Sequence, residues 1–412
     1  MEEPIVVGID IGSNKICTLV ARVEKNNHLR ILGVGIEPSQ GVSRGVITDI
    51  PSAAKAISRS VEKAERTSGY EINCAIVSLA GSHVSSVNNR GIVGIQGRVI
   101  DQQDVFRALD SAQAIALPHN REIVHVIQRG FAIDGQEGIR QPVGMHGFRL
   151  EVEAHIISAT ASTIDNLRKA VQMAGIEVSQ FVLTPLADGE VVLSETERSM
   201  GAAVVDLGGG TTSLSIYING DVWHTNIMPV GGNMVTSDIA QVLHMPIDQA
   251  EEAKLLHGNA IQTDVNADES FNIVPFGSDQ SKKVQRLEMV QVIEARMEEI
   301  LDMVEQEIKR SGYDGMLPAG LVLVGGGSLM HGVRKLAQRL TNLPARIGKP
   351  ENISGLTDQI SNPAYATAVG LLQWAILMSE TNQEFKETPD KKSKRPATTA
   401  EKLRKAFGKL LP

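Results

Sequence analysis

The sequence predicts a duplicated α/β protein with a small α+β subdomain inserted in its first half. Three observations predict it. Val/Ile-rich runs separated by turn residues alternate with helical periodicities along the chain. Ile9-Asp10-Ile11-Gly12 matches Val205-Asp206-Leu207-Gly208 at a constant offset of 196 residues, so a strand–turn–strand unit is repeated. Between the copies, residues 84–158 break the plan with short β-like pieces around one helix. A chain of 412 residues suffices for several compact units with a sizeable core.

Taken in order, "PIVVGIDIGSNKICTLVARV" (4–23) reads as two strands joined by a Gly/Ser/Asn turn, because Val and Ile flank residues that tolerate turn geometry. "DIPSAAKAISRSVEKAERTSG" (49–69) sets Ala54, Ile57, Val61 and Ala64 at helical spacing. In the insertion, "GIVGIQGRVI" and "FRLEVEAHIISA" are β-like and "DQQDVFRALDSAQAIA" is helical. "STIDNLRKAVQMAG" (162–175) is a helix stopped by a glycine. "AAVVDLGGGTTSLSIYI" (202–218) is the second strand–turn–strand unit. "EMVQVIEARMEEILDMVEQEIKRSG" (288–312) is a long amphipathic helix, and "LVLVGGGSLMHGVRKLAQRL" (321–340) runs strand, glycine turn, helix. These readings divide the chain into a first lobe core (1–83 and 159–199), the insertion (84–158), a second lobe core (200–229 and 303–379) with an outer subdomain (230–302), a polar linker (380–397) and a C-terminal helix (398–412).

Composition narrows the function classes. Cys17 and Cys74 are the only cysteines, too few for a disulfide framework or a Cys-rich metal site, which points to a reducing compartment. The ten histidines are scattered without metal-ligand spacing. The acidic start "MEEPIVVGIDIG" lacks the features of a secretory signal, and "AVGLLQWAILM" (368–378) is too short to span a bilayer, so a cytoplasmic protein without a transmembrane anchor is expected. Residues 391–412 hold eight Lys/Arg against one acid, so of the net −8 the tail carries +7 and the remainder −15. A basic end on an acidic body argues for an anionic surface as the tail's partner and against nucleic acid as the partner of the whole chain.

Each hairpin ends its first strand on a carboxylate, Asp10 or Asp206, and continues with glycine and hydroxyl residues. Such a turn brings backbone N–H groups against phosphate oxygens, because no Cβ intervenes. The carboxylate would hold Mg2+ through water, since that ion keeps much of its hydration shell. One such turn is a weak signal; two matched copies suggest two lobes gripping one polyphosphate. The third glycine run, Gly325–Gly327, suits either a nucleoside site or tight strand–helix packing. Neither GxxxxGK followed by Ser or Thr nor a GxGxxG turn after the first strand occurs, which argues against the ordinary P-loop and dinucleotide folds.

Five stretches, in this order, resemble the actin, Hsp70 and sugar-kinase ATPase superfamily: "GIDIGSNKI" (8–16), "LTPLADGEVVL" (183–193), "VVDLGGGTTSL" (204–214), "PVGGNMVTSDIA" (229–240) and "LVGGGSLMHG" (323–332). Within it, "GGNMVTSDIA", "AEEAKLLHG" (250–258), "ENISGLTDQISNPAYATAVGLL" (351–372) and the 84–158 insertion resemble the FtsA family of bacterial cell-division proteins. The resemblance implies actin-like, duplicated RNase H-type lobes around a nucleotide cleft that takes ATP and Mg2+. It implies that Asp10 and Asp206 organise the ion, and that Gly12, Ser13, Asn14, Lys15, Gly208, Gly209, Gly210, Thr211 and Thr212 line the phosphates. By the same likeness Gly231, Gly232 and Asn233 meet phosphate or ribose, Glu251 and Lys254 flank ribose and adenine, and Gly325, Gly326, Gly327 and Ser328 bed the nucleoside. Read alone, Glu251 and Lys254 are an exposed helical pair. Asp188 and Glu190 are candidates for positioning an attacking water, consistent with weak or slow ATPase activity. The implied partners are the FtsZ C-terminal peptide, through residues 230–302, further copies of the chain in a filament, and other divisome proteins.

In "TTAEKLRKAFGKLLP" (398–412), Leu403, Ala406, Phe407, Leu410 and Leu411 fall on one helical face, with Lys402, Arg404, Lys405 and Lys409 on or beside the other. Thr398 and Glu401 fit a capping box. A basic amphipathic helix after a polar linker reads as lying in an anionic lipid headgroup layer, and the resemblance implies that this is the cytoplasmic face of the inner membrane at the division site. A pilus-assembly scaffold of the PilM type, a small-molecule kinase, an Hsp70-type chaperone and an exopolyphosphatase share the nucleotide core, but none accounts for this tail.

Overall fold

The computed structural model describes residues 4–277 and 280–384. Two sheets of matching topology form the two lobes. In the first, Ile5–Ile11 pairs antiparallel with Lys15–Val23, which pairs antiparallel with Leu29–Pro38; on its other side Ile5–Ile11 runs parallel to Cys74–Leu79, and that strand runs parallel to Glu177–Leu183. In the second, Ala202–Leu207, Thr212–Ile218 and Asp221–Met228 make the same antiparallel meander, and Gly320–Val324 and Ala345–Ile347 supply the parallel strands. Both lobes therefore have the order 3-2-1-4-5, and the repeat seen at 196 residues is the first hairpin of each. A short strand, Ile353–Gly355, returns from the second half to edge the first sheet.

Capping chemistry fixes the helices that join these strands. Asp49 accepts a hydrogen bond from the Ser52 amide at the start of helix Ile50–Ser68, a proline occupies its first turn, and Gly69 closes it with φ +74°. Its alanine-rich face lies so near the Leu29–Pro38 strand that a Cβ on Gly35 would fall 1.8 Å from the Ser60 carbonyl oxygen. Helices Ala161–Met173 and Arg286–Ser311 fall on the segments whose periodicity predicted them. "LTPLADGEVVL" forms the connecting helix Thr184–Val192, which packs against the last helix, Ala366–Glu384. That last helix runs into the segment expected to begin the linker at 380; the remainder of the linker and the amphipathic segment 398–412 lie outside the described residues.

The inserted segment folds as an antiparallel sheet in the order Val84–Gly94, Arg149–Thr160, Arg121–Ile133, Gln136–Ile139, with helix Gln102–Gln113 on one face. The long strand Arg121–Ile133 was not legible in the sequence. This sheet has a core of its own and leans on the second lobe, where buried His155 bridges Asn88 Oδ1 at 2.6 Å and Thr225 Oγ1 at 2.9 Å. Among the described residues no helix is long and apolar enough to cross a membrane.

Candidate functional site

The two hairpin turns are congruent in detail. The Gly12 amide donates to the Lys15 carbonyl at 3.0 Å, and the Gly208 amide donates to the Thr211 carbonyl at 3.0 Å. A Cβ at either glycine would crowd that acceptor, at 2.9 and 2.8 Å. Register puts Asp10 opposite Cys17 and Asp206 opposite Ser213, one residue before the end of each first strand. The turns face each other across a single cavity of about 330 Å³, which both aspartates line. They also touch: a Cβ on Gly209 would meet the Asn14 amide at 2.5 Å, and one on Gly210 would meet Ser13 Oγ at 2.4 Å.

Most of the residues proposed from sequence come together here. Gly12, Ser13, Asn14 and Lys15 form one wall, and Gly208, Gly209, Gly210 and Thr211 form the other. Gly232, Glu251 and Lys254 line the far end with Val235, Leu255, Met297 and Met330. Glu251 and Lys254 are not the exposed pair that their spacing alone suggests. Lys254 is buried, and its Nζ donates to Glu251 Oε2 at 2.6 Å and to Thr236 Oγ1 at 2.8 Å. The third glycine run is tightly packed at one position and open at the next. Gly325, at φ +78°, packs so tightly that a Cβ would lie 2.1 Å from Asp206 Oδ1, whereas a Cβ on Gly326 would meet nothing within 4 Å and that residue lies open to the cavity.

Six of the proposed residues do not line the cavity. Thr212 Oγ1 donates to the Val230 carbonyl at 2.9 Å, and buried Ser328 donates to the Gly325 carbonyl at 2.7 Å. Gly231 packs on the second turn, where the amides of Gly232 and Asn233 donate to the carbonyls of Gly208 and Gly209 at 2.9 and 2.8 Å. Asn233 ties the walls together by donating from Nδ2 to Asn14 Oδ1 at 2.7 Å. Asp188 is fully buried behind the wall; its Oδ1 accepts from Thr367 Oγ1 at 2.7 Å, and its Oδ2 has no partner. Glu190 is held elsewhere by Arg198, whose Nη1 donates to it at 2.9 Å.

Sequence reasoning missed the segment that closes the site on the first-lobe side and assigned it to the second lobe core (303–379), whereas helix Ala366–Glu384 packs on strands Ile5–Ile11 and Lys15–Val23 of the first sheet. Lys15 Nζ donates to the Ala364 carbonyl at 2.5 Å and lies 3.6 Å from the centre of the Tyr365 ring. Ala364 and Thr367 line the cavity, yet they sit some 350 residues from the turn they meet and carry no chemical signature. The quoted "SNPAYATAVGLL" held them without showing their role.

Charge is unbalanced in this cleft. Burial, then the charge of Asp10, pushes the Asp206 carboxyl up to about 7, against the pull of Lys15. Burial raises Asp10 as well, opposed by Lys15 and a hydrogen bond from Ser78. Asp188 is held well above the carboxylate range by burial and then by Asp206. Burial lowers Lys15, opposed mainly by Asp10. Three acids share this region with Lys15, so a cation entering between Asp10 and Asp206 would relieve the repulsion. Among the described residues no three His, Cys, Asp or Glu side chains cluster closely enough to ligate a metal directly. The donor set therefore suits a hydrated hard cation, and the glycines of both turns leave backbone exposed to the cavity.

The chain is similar to known proteins in sequence and in fold. Residues 203–370 match the family model "Cell division protein FtsA", and residues 81–158 match "SHS2 domain inserted in FTSA". The chain is 38% identical over 372 residues to the cell division protein FtsA of Pseudomonas aeruginosa, covering 90% of this chain and 89% of that one. It is 39% identical over 397 residues to that of Borreliella burgdorferi, covering 96% and 95%. Among solved structures, the PilM-PilN type IV pilus biogenesis complex matches with a TM-score of 0.64 at 14% identity, over 90% of this chain and 98% of that one. MreB 5 of Spiroplasma citri bound to AMPPNP matches with a TM-score of 0.55 at 15% identity, over 94% and 100%. These two likenesses are of fold, and the fold is actin-like.

Proposed function

The chain belongs to the FtsA family of cell-division proteins, and from that premise we propose that it binds ATP with Mg2+ between its lobes, polymerises, and tethers the FtsZ ring to the cytoplasmic membrane. The observation that carries the nucleotide reading is the pair of congruent, acid-tipped glycine turns on opposite walls of one cavity. The fold matches that of an MreB crystallised with AMPPNP, which supports the same reading.

Magnesium would supply charge neutralisation for the phosphates. Asp10 and Asp206 would hold it through water, and the turn amides would orient the phosphate oxygens. Lys254 and Glu251, locked to each other and to Thr236, would present a fixed polar edge to the sugar and base. Of the two candidate acids, Asp188 is the one with an unpaired carboxylate oxygen, Oδ2; it would accept a proton from an attacking water only in its ionised form, which a cation held between Asp10 and Asp206 would favour. Glu190 is committed to Arg198, so the slow turnover would rest on Asp188.

Attachment would come from residues 398–412. Each large apolar side chain contributes roughly 1.5–3 kcal/mol when fully buried, and each Lys or Arg near an anionic leaflet about 1 kcal/mol. Shallow burial and the entropy of ordering the helix remove much of that sum, so one tail binds weakly and reversibly. A filament that aligns many tails on one bilayer gains avidity, and membrane attachment then reports assembly. Binding of the FtsZ C-terminal peptide through residues 230–302 and recruitment of later division proteins complete the proposal.

Pelleting with anionic vesicles tests it. The full chain should sediment more with Mg-ATP than without, and deletion of residues 398–412 should abolish sedimentation while nucleotide affinity stays unchanged. Sedimentation of the truncated chain would refute the hook.

A further inference from the structure

A second cavity, of about 470 Å³, adjoins the first across Ser13, Gly209 and Gly210, which line both. Its roof is a miniature hairpin of the first lobe, Val42–Ser43 paired with Val46–Ile47. The tip residues Arg44 and Gly45 both take left-handed backbone, φ 49° and 73°, as a two-residue turn of this type requires. Glycine is at ease there; arginine is not. The tip is pinned against both phosphate turns. The Gly45 amide donates to Ser13 Oγ at 3.3 Å, and the Arg44 amide nitrogen lies 3.0 Å from where a Cβ on Gly210 would sit.

Charges in the lining single out one group. Arg296 is committed, with Nε and Nη2 donating to the two oxygens of Asp238 at 2.5 and 3.1 Å and Nη1 to Glu299. Arg44 makes no side-chain hydrogen bond or ion pair among the described residues. A strained turn thus sets Arg44, whose side chain is uncommitted, on the wall of a cavity that shares Ser13, Gly209 and Gly210 with the first but not Glu251, Lys254 or Met330.

We propose that Arg44 is a specificity-determining residue that contacts the terminal phosphate of the bound nucleotide and so separates a triphosphate from a diphosphate. The inference rests on the nucleotide reading above and goes beyond it. A polyphosphate entering from the nucleoside end passes between the turns, and a third phosphoryl group adds its charge on the side where Arg44 waits. Guanidinium suits this role because it stays charged and can donate two parallel hydrogen bonds to phosphate. Since the hairpin also rests on Gly210 of the second lobe, the contact would tie lobe closure to the presence of that phosphate.

The test is the affinity of the full chain, with Mg2+, for AMPPNP and for ADP by titration calorimetry, in the native protein and in Arg44→Ala and Arg44→Lys. One charge-assisted contact at a partly open site predicts about a tenfold loss of AMPPNP affinity in Arg44→Ala. ADP affinity should stay within about twofold, which also shows that the variant is folded, and Arg44→Lys should fall between. Equal losses for both nucleotides, or no change in either, would overturn the inference and leave the nucleotide site standing. A native chain that binds neither nucleotide would overturn both.

Discussion

Replacing Asp206 by asparagine should stabilise the ligand-free protein at pH 8 while removing its response to Mg-nucleotide. Burial and Asp10 move this carboxyl from its ordinary 3.8 to about 7. At about 1.4 kcal/mol per pH unit, its ionised form costs the fold about 4 kcal/mol. The sign follows from the raised value. Below pH 3.8 the group is protonated folded or unfolded and costs nothing; between 3.8 and 7 the unfolded chain releases the proton first, and stability falls; above 7 the loss is complete. Asparagine keeps the size and never ionises, so thermal unfolding of Asp206→Asn should match the native chain near pH 4 and exceed it at pH 8. For a unit of lobe size each kcal/mol is about 2–4 °C, so even half the full effect is readily measured. Mg-ATP should raise the melting temperature of the native chain and not that of the variant. A variant less stable than the native chain at pH 8, or one whose gain is the same at pH 4 and pH 8, would refute this account of the charges.

Three further outcomes are expected. Gly325→Ala forces an alanine into backbone that is essentially glycine's alone (φ 78°, ψ 169°), at about 1–3 kcal/mol, and drives its Cβ into Asp206, so both stability and Mg-nucleotide binding should fall in thermal melts. Gly326→Ala has open space around its Cβ and should melt like the native chain while binding nucleotide more weakly by calorimetry. Asp188→Asn should slow phosphate release at least tenfold in a coupled assay, whereas Glu190→Gln should leave turnover unchanged and cost roughly 1.5–3 kcal/mol through the weakened pair with Arg198.

What the sequence made legible follows from what its residues cannot avoid. A backbone that must approach another backbone or a phosphate excludes side chains, so the turns announce themselves as glycines, and duplication prints them twice. Residues that act through ordinary chemistry leave no such trace. Ala364 offers a carbonyl that any residue has, and Thr367 a hydroxyl shared with many others; only folding brings them to Lys15 and Asp188. Direction is equally hidden. Thr211 and Thr212 are neighbours of one kind, but the first ends the turn and lines the cavity, while the second opens the strand and turns its hydroxyl to Val230. Glu190 read as a candidate by proximity in sequence, and its commitment to Arg198 is a fact of packing. Lys254 and Glu251 read alone as a surface pair because the spacing says nothing of what covers them.

The central claim is that the two hairpin turns hold one triphosphate between them. A crystal structure of the full chain grown with AMPPNP and Mg2+ tests it most directly. The account predicts phosphate density between Gly12–Lys15 and Gly208–Thr211, with Asp10 and Asp206 both facing the ion and Arg44 on the terminal phosphate. Nucleotide bound elsewhere, or phosphates touching one turn while the other stays apart, would contradict it.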